Sequence, residues 1–185
     1  IAKFKVVNEE NTYLLAWTTT PWTLPSNVAL CVSPKDKYVQ IKVENGERYI
    51  LAEALIPSVI DGEYEQEKEW LGDELCGMQY EPLYHFVEPE EKAWYVVADN
   101  YVTLTDGTGI VHIAPAFGED DSRVGKDNNL PFVQLVDEQG NFSKETGEWA
   151  GTFVKDADKL VLKDLEERGL LFAALPYEHS YPFCW

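Results

Sequence analysis

Apolar side chains recur at every second position near the start of the chain, first Phe4 and Val6, then Tyr13 and Leu15, on either side of the polar run Asn8-Glu9-Glu10-Asn11. A period of two predicts strands over Ala2 to Val7 and Thr12 to Thr19, joined as a hairpin. The same pattern predicts strands at Val28 to Val32, Tyr38 to Val43 and Arg48 to Leu51. The Asn45-Gly46 pair between the last two is a strong hairpin signal, since both residues tolerate the positive φ that a tight turn needs. Further strands are expected near Cys76 to Tyr84, at Ala93 to Ala98 and at Gly109 to Ile113, the last preceded by the turn Asp106-Gly107-Thr108-Gly109.

Helical spacing is rarer. Ala52 to Ile60 is a short candidate despite Pro57, and a second begins after Gly118 and runs through Asp120 to about Asp127. Glu119, Asp120 and Asp121 crowd its first turn, where acids complement the helix dipole. The clearest helix is Ala157 to Arg168, with Ala157, Leu160, Val161 and Leu165 as its apolar stripe, Asp156 as cap and Gly169 as stop. There is no internal repeat, low-complexity tract or linker, so residues 1–185 read as one domain, mainly β within an α+β class and mostly antiparallel.

Composition narrows the class. With 185 residues and 45% hydrophobic content the chain can bury one substantial core. No apolar run approaches the roughly eighteen residues of a membrane span, and charges interrupt the opening segment, so the expected setting is the cytoplasm. Cys31, Cys76 and Cys184 are odd in number and far apart, which suits reduced thiols better than a disulfide framework or a metal site. Fifteen basic against 33 acidic residues give a net charge of -18, which argues against a broad nucleic-acid footprint. The acidic excess is concentrated between Asp61 and Lys92, a stretch expected to be a solvated flank.

Two stretches carry candidate chemistry. Trp17 to Asn27 reads Trp-Thr-Thr-Thr-Pro-Trp-Thr-Leu-Pro-Ser-Asn. A β-branched strand closed by a proline turn accounts for some of it. The hydroxyls of Thr18, Thr19, Thr20 and Thr23, the amide of Asn27 and the apolar walls of Trp17 and Trp22 are also the composition of a small pocket. The second stretch, Asp106 to Asp121, runs from a turn through a strand carrying His112 to a helix start carrying Asp121. A lone strand histidine is commonly a satisfied core or surface group, and any one of three adjacent acids could face solvent. No nucleophile elbow and no paired cysteine and histidine occur, and His85 and His179 lie in ordinary contexts. Gly107 and Gly109 lack the third glycine and the lysine of a phosphate loop, and His112, Asp121 and Cys184 lack zinc-ligand spacing.

Together the two stretches, W-T-T-T-P-W-T-L-P-S-N and G-T-G-I-V-H-I-A-P-A-F-G-E-D-D, resemble the editing domain of isoleucyl-tRNA synthetases, class I aminoacyl-tRNA synthetases. Tyr177-Glu178-His179-Ser180-Tyr181-Pro182 resembles the return of that insertion toward the synthetase body. Related valyl and leucyl editing domains typically carry Thr-Thr-Arg-Pro where this chain has Thr18-Thr19-Thr20-Pro21-Trp22, which favours the isoleucyl member. The resemblance implies a barrel-like antiparallel core with peripheral helices, excised from a larger synthetase whose activation motifs are absent here.

It also implies a function. A hydrophobic synthetic pocket cannot strongly reject an amino acid one methylene too small, a group worth about 1–3 kcal/mol; isoleucine against valine is the established illustration, and the magnitude is general, not obtained from this chain. A second site would admit valine, exclude isoleucine and hydrolyse valyl-tRNA(Ile), with valyl-adenylate as a further candidate. By resemblance Asp121 holds the substrate α-ammonium, His112 closes the side-chain end with Trp22 as a second wall, and Thr19 with the ribose hydroxyl assists the attacking water. Thr18, Thr20, Asn27 and Ala114 complete the implied site. ATP and metal use belong to the synthetic domains, so no cofactor and no metal are expected here. The expected partners are the 3′ end of aminoacylated tRNA(Ile) and the rest of the synthetase in cis, with no membrane, and the chain as a monomer. Phosphates would meet a few bases such as Arg123 or Lys126. Editing of another aliphatic aminoacyl-tRNA, or a catalytically silent tRNA-binding module, remain alternatives.

Overall fold

The alternating residues at the start form a hairpin, β1 (Ala2–Lys5) antiparallel to β2 (Thr12–Ala16), with Phe4 opposite Leu14. The computed structural model describes residues 1–18, 20–60, 62–86, 88–89, 92–104 and 107–172. After β3 (Ala29–Val32), the strands β4 (Lys37–Val43) and β5 (Arg48–Ala52) pair antiparallel around Gly46, whose φ of 91° is the left-handed backbone the Asn-Gly pair predicts. A 3-10 turn leads into the single-turn helix α1 (Ile56–Val59), within the predicted Ala52 to Ile60 segment.

The next strand, β6 (Tyr64–Leu71), lies inside the acidic stretch and pairs with β4. Its residues are largely exposed, so no apolar alternation marks it. A charged edge strand of this kind resists pairing with further chains. A strand over Cys76 to Tyr84 does not form. The single-turn helix α2 (Gly72–Leu75) and Gly77 at φ 91° turn the chain, and Gln79 and Tyr80 make only isolated bridges to Tyr95 and Val6. β7 (Tyr95–Ala98), β8 (Ile110–Ile113), α3 (Glu119–Asp127) and α4 (Val154–Glu167) follow close to their expected places.

Two mixed sheets result, one ordered β1-β2-β5-β4-β6 and the other β7-β3-β8. Antiparallel pairing predominates, but β2 with β5 and β3 with β7 are parallel, and the described residues close no barrel. The sheets meet where Trp17, just beyond β2, bridges to Val111 of β8 and donates its N–H to the Ile110 carbonyl at 3.3 Å. The main core lies between the elements, with Phe4, Leu14, Leu30, Tyr38, Ile50 and Ile110 fully buried. Burying such side chains is worth roughly 1.5–3 kcal/mol each.

α4 packs Val161 and Leu165 against this core, and Ala157 against Val136 and Phe142. It starts a turn earlier than the apolar stripe suggests, with Phe153 as N-cap and no side-chain cap, so Asp156 sits inside the first turn. Leu160 stays exposed because it points about 100° away from Val161 on the helix. Beyond α4, Gly169 at φ 73° and the Leu170 N–H to Leu165 carbonyl bond make the glycine stop the sequence indicates. No helix among the described residues is long and apolar enough to cross a membrane.

Candidate functional site

The two motif stretches converge at the seam between the sheets. A cavity of about 220 Å³ is lined by Trp17, Thr18, Thr20, Thr23, Val111, His112, Phe117 and Asp121. At about 30 Å³ per water, that is room for a small amino acid. One wall is the segment after β2, which passes Thr18 and Thr20 and then winds into a 3-10 helix (Pro21–Ser26). Pro21 suits the first position of that helix because its missing N–H would have no partner there anyway. The next free N–H, that of Trp22, is taken by Asp158 Oδ1 of α4 at 2.9 Å, which ties this wall to the helix. Gly107 is pressed against Trp17: a Cβ there would stand 2.2 Å from the indole, and its φ of 71° also calls for glycine.

His112 is buried, and both its ring nitrogens are engaged. Nε2 lies 2.7 Å from Thr23 Oγ1 and Nδ1 lies 3.2 Å from Asn27 Nδ2. The Asn27 amide nitrogen is a donor and gives its other hydrogen to the Ala29 carbonyl at 2.8 Å, so Nδ1 must accept. Thr23 gives its own proton to the Thr20 carbonyl at 2.8 Å, so it accepts from His112 Nε2–H. A protonated imidazole would set Nδ1–H against the Asn27 amide hydrogens. Burial pushes the same way, lowering the His112 pKa to about 4. His112 is therefore a neutral, fixed wall, not a free base.

Asp121, half-buried in the first turn of α3, lines the same cavity. Of the three adjacent acids it is the one that turns to the cavity, while Glu119 and Asp120 face solvent. Its Oδ2 accepts the Ala114 N–H at 2.9 Å. Burial raises its pKa, the Ala114 bond pulls it down, and neighbouring Asp120 raises it. Gly118 makes room for it, since a Cβ there would stand 3.1 Å from the Asp121 carboxyl.

Thr18, Thr20, His112 and Asp121 thus share one cavity, and Ala114 acts through its backbone. Asn27 stands behind His112 and not at the surface of the hollow. Trp22 is not a lining residue either; its ring packs edge-on against Phe117 at 5.0 Å and buttresses that wall. Thr19 lies outside the described residues, as does the segment containing His179 and Cys184. Val111 and Phe117 line the cavity without having been singled out by residue type; only their place inside the second motif pointed there. Arg123 is engaged by Asp99 at 2.8 and 3.0 Å, which removes it as a free phosphate contact. Cys31 is buried and its thiol is pushed up to about 12, so it is an inert core group.

No family model matches the chain. The isoleucine–tRNA ligase of Clostridium acetobutylicum is 54% identical over 183 residues, covering 99% of this chain and 18% of that protein. The chain therefore spans about 18% of the length of such relatives. Among solved structures, GlLeuRS-CP1 superposes with a TM-score of 0.73 at 17% identity, covering 94% of this chain and 98% of that one. The cytosolic leucyl-tRNA synthetase editing domain of P. knowlesi gives 0.68 at 13% identity, covering 91% and 93%. At those identities the structures speak to fold alone, and the sequence match supplies the family. The chain belongs to the isoleucyl-tRNA synthetase family, as the segment that carries the editing-domain fold.

Proposed function

We propose that this segment is the hydrolytic proofreading module of an isoleucyl-tRNA synthetase, clearing valine from mischarged tRNA(Ile). One observation carries the reading. Asp121, its carboxylate pinned by the Ala114 N–H, is the sole charged group among the described lining residues of an amino-acid-sized cavity. A half-buried carboxylate with no basic neighbour in the hollow suits an α-ammonium, which would offer a charge-assisted hydrogen bond. With the ammonium held there, the substrate side chain points toward His112, whose fixed ring limits its length.

Among the described lining residues the cavity offers threonine hydroxyls and no cysteine or serine, which favours water as nucleophile. Water adds to the ester carbonyl, the bond from that carbonyl carbon to the ribose oxygen breaks, and the departing ribose oxygen takes up a proton from the added water to become a hydroxyl as valine leaves. Thr18 and Thr20 orient the ester, and Thr19 with the neighbouring ribose hydroxyl helps place the water. Orientation of an already activated ester can supply much of the acceleration. Valyl-adenylate is a second candidate substrate. A second hollow of about 640 Å³, with Lys126 and exposed Phe132 in its lining, offers a phosphate contact and a stacking surface suited to the strand ahead of the terminal adenosine. The tRNA body would be held by the rest of such a synthetase.

A non-hydrolysable valyl-adenosine analogue should bind the chain, and acetylating its α-amino group should abolish binding, read by calorimetry. Equal binding of the acetylated analogue would sink the assignment of Asp121.

A further inference from the structure

We propose that Tyr80 is a positioning residue for the cavity: its buried hydroxyl sets the direction of a hydrogen-bond chain that fixes the tautomer of His112 and the threonine rim beyond it. This deepens the reading of the cavity as an editing site. Tyr80 is 2% exposed and packs edge-on against Phe4 at 5.2 Å between ring centres. A phenylalanine would fill the same apolar space, and a buried hydroxyl costs free energy unless it is bonded. The bond it makes is to Asn27 Oδ1.

From there every donor points the same way. The Tyr80 O–H donates to Asn27 Oδ1, the Asn27 amide donates to His112 Nδ1, His112 Nε2–H donates to Thr23 Oγ1, and the Thr23 hydroxyl donates to the Thr20 carbonyl. Tyr80 and the Ala29 carbonyl hold the two ends of the Asn27 amide from opposite sides, an acceptor facing the nitrogen and a donor facing the oxygen. With the amide so held, Nδ1 can only accept and the imidazole proton stays on Nε2. The consequence reaches the cavity surface. Thr23 has spent its proton on Thr20, so its oxygen, 3.3 Å from Thr20 Oγ1, is left as an acceptor at the rim. Tyr80 itself does not line the cavity and acts only through Asn27.

The test is the imidazole nitrogen NMR signature of His112 in this chain, without substrate. The unaltered chain should show a protonated Nε2 and an unprotonated Nδ1. In Tyr80→Phe the tautomer preference should fall on the order of tenfold, the size expected for one lost neutral hydrogen bond. Trp94→Phe removes a bond to the Asn27 backbone carbonyl and leaves the amide alone, so it should leave the signature in place. If Tyr80→Phe keeps the His112 signature, or Trp94→Phe shifts it as much, the proposal is overturned. Should Tyr80→Phe not fold, difluorotyrosine at position 80 keeps the ring and strengthens the donor; the Nδ1 resonance should move, and a still resonance overturns the proposal. Because this readout needs no turnover, a parent synthetase that fails to deacylate valyl-tRNA would defeat the editing reading and leave the positioning result standing.

Discussion

Two lining residues of the cavity solve opposite problems. His112 is buried, neutral and saturated by partners on Thr23 and Asn27. Asp121 is half-exposed, with one oxygen committed to Ala114 and its side chain lining the cavity. A site meant to measure length needs a wall that does not move. A site meant to capture a cation needs a charge that burial leaves unsatisfied. On the proposed reading the difference separates selection from anchoring, so that each should be open to disturbance without the other.

The largest effect is expected at the anchor. In the parent synthetase, Asp121→Ala should lower deacylation of valyl-tRNA(Ile) by about a hundredfold or more, since a buried charge-assisted bond is worth about 1.5–3 kcal/mol and orientation is lost with it, while charging with isoleucine is spared. Deacylation and charging measured on the same preparation check this, and equal loss of both would blur the contrast.

The wall should show itself in stability. His112 has its pKa lowered from 6.5 to about 4, so between those values the unfolded chain binds a proton that the folded chain does not. Stability is therefore retained at neutral pH and lost as pH falls through that window, by about 2 kcal/mol between pH 7 and pH 5. Asp121 works against this at the acid end, because its raised pKa favours the folded state as protons bind. Comparing urea unfolding of the unaltered chain with His112→Gln at both pH values isolates the histidine; an unchanged difference would mean that His112 is not buried neutral.

A smaller effect concerns selectivity. His112→Ala should admit isoleucyl ester, narrowing the preference for valyl over isoleucyl substrate by roughly tenfold, the scale of one methylene. The smallest informative change is Gly118→Ala. Its φ of -165° suits any residue, but the new Cβ would crowd the Asp121 carboxyl at 3.1 Å. A few-fold rise in KM with little change in Tm is expected; an unchanged KM would show that the carboxylate has slack. Glu65→Gln on the exposed edge strand should alter neither activity nor stability beyond about 0.5 kcal/mol, which sets the noise level.

What the sequence disclosed follows the range of the forces involved. Local signals were readable: the Asn45-Gly46 hairpin, the Gly169 stop and the α3 start with its acids all depend on neighbours a few residues away. Strand β6 was hidden because an exposed edge strand needs no apolar alternation, only the backbone of β4 beside it. The parallel pairs β2 with β5 and β3 with β7 were hidden because they join residues far apart in sequence, with no turn between them to announce the pairing. The site behaved likewise. The motifs named Asp121, His112, Thr18 and Thr20, whereas the place of Trp22 behind Phe117 and of Asn27 behind His112 needed the folded packing. Tyr80, some fifty residues from Asn27 in sequence, had no local signature at all.

The most direct measurement is deacylation of valyl-tRNA(Ile) and isoleucyl-tRNA(Ile) side by side, by this chain and by its parent synthetase, each with and without Asp121→Ala. The account predicts faster hydrolysis of the valyl ester, with that advantage lost when Asp121 is removed. Equal rates for the two esters in the parent, or an undiminished valyl rate after Asp121→Ala, would contradict it.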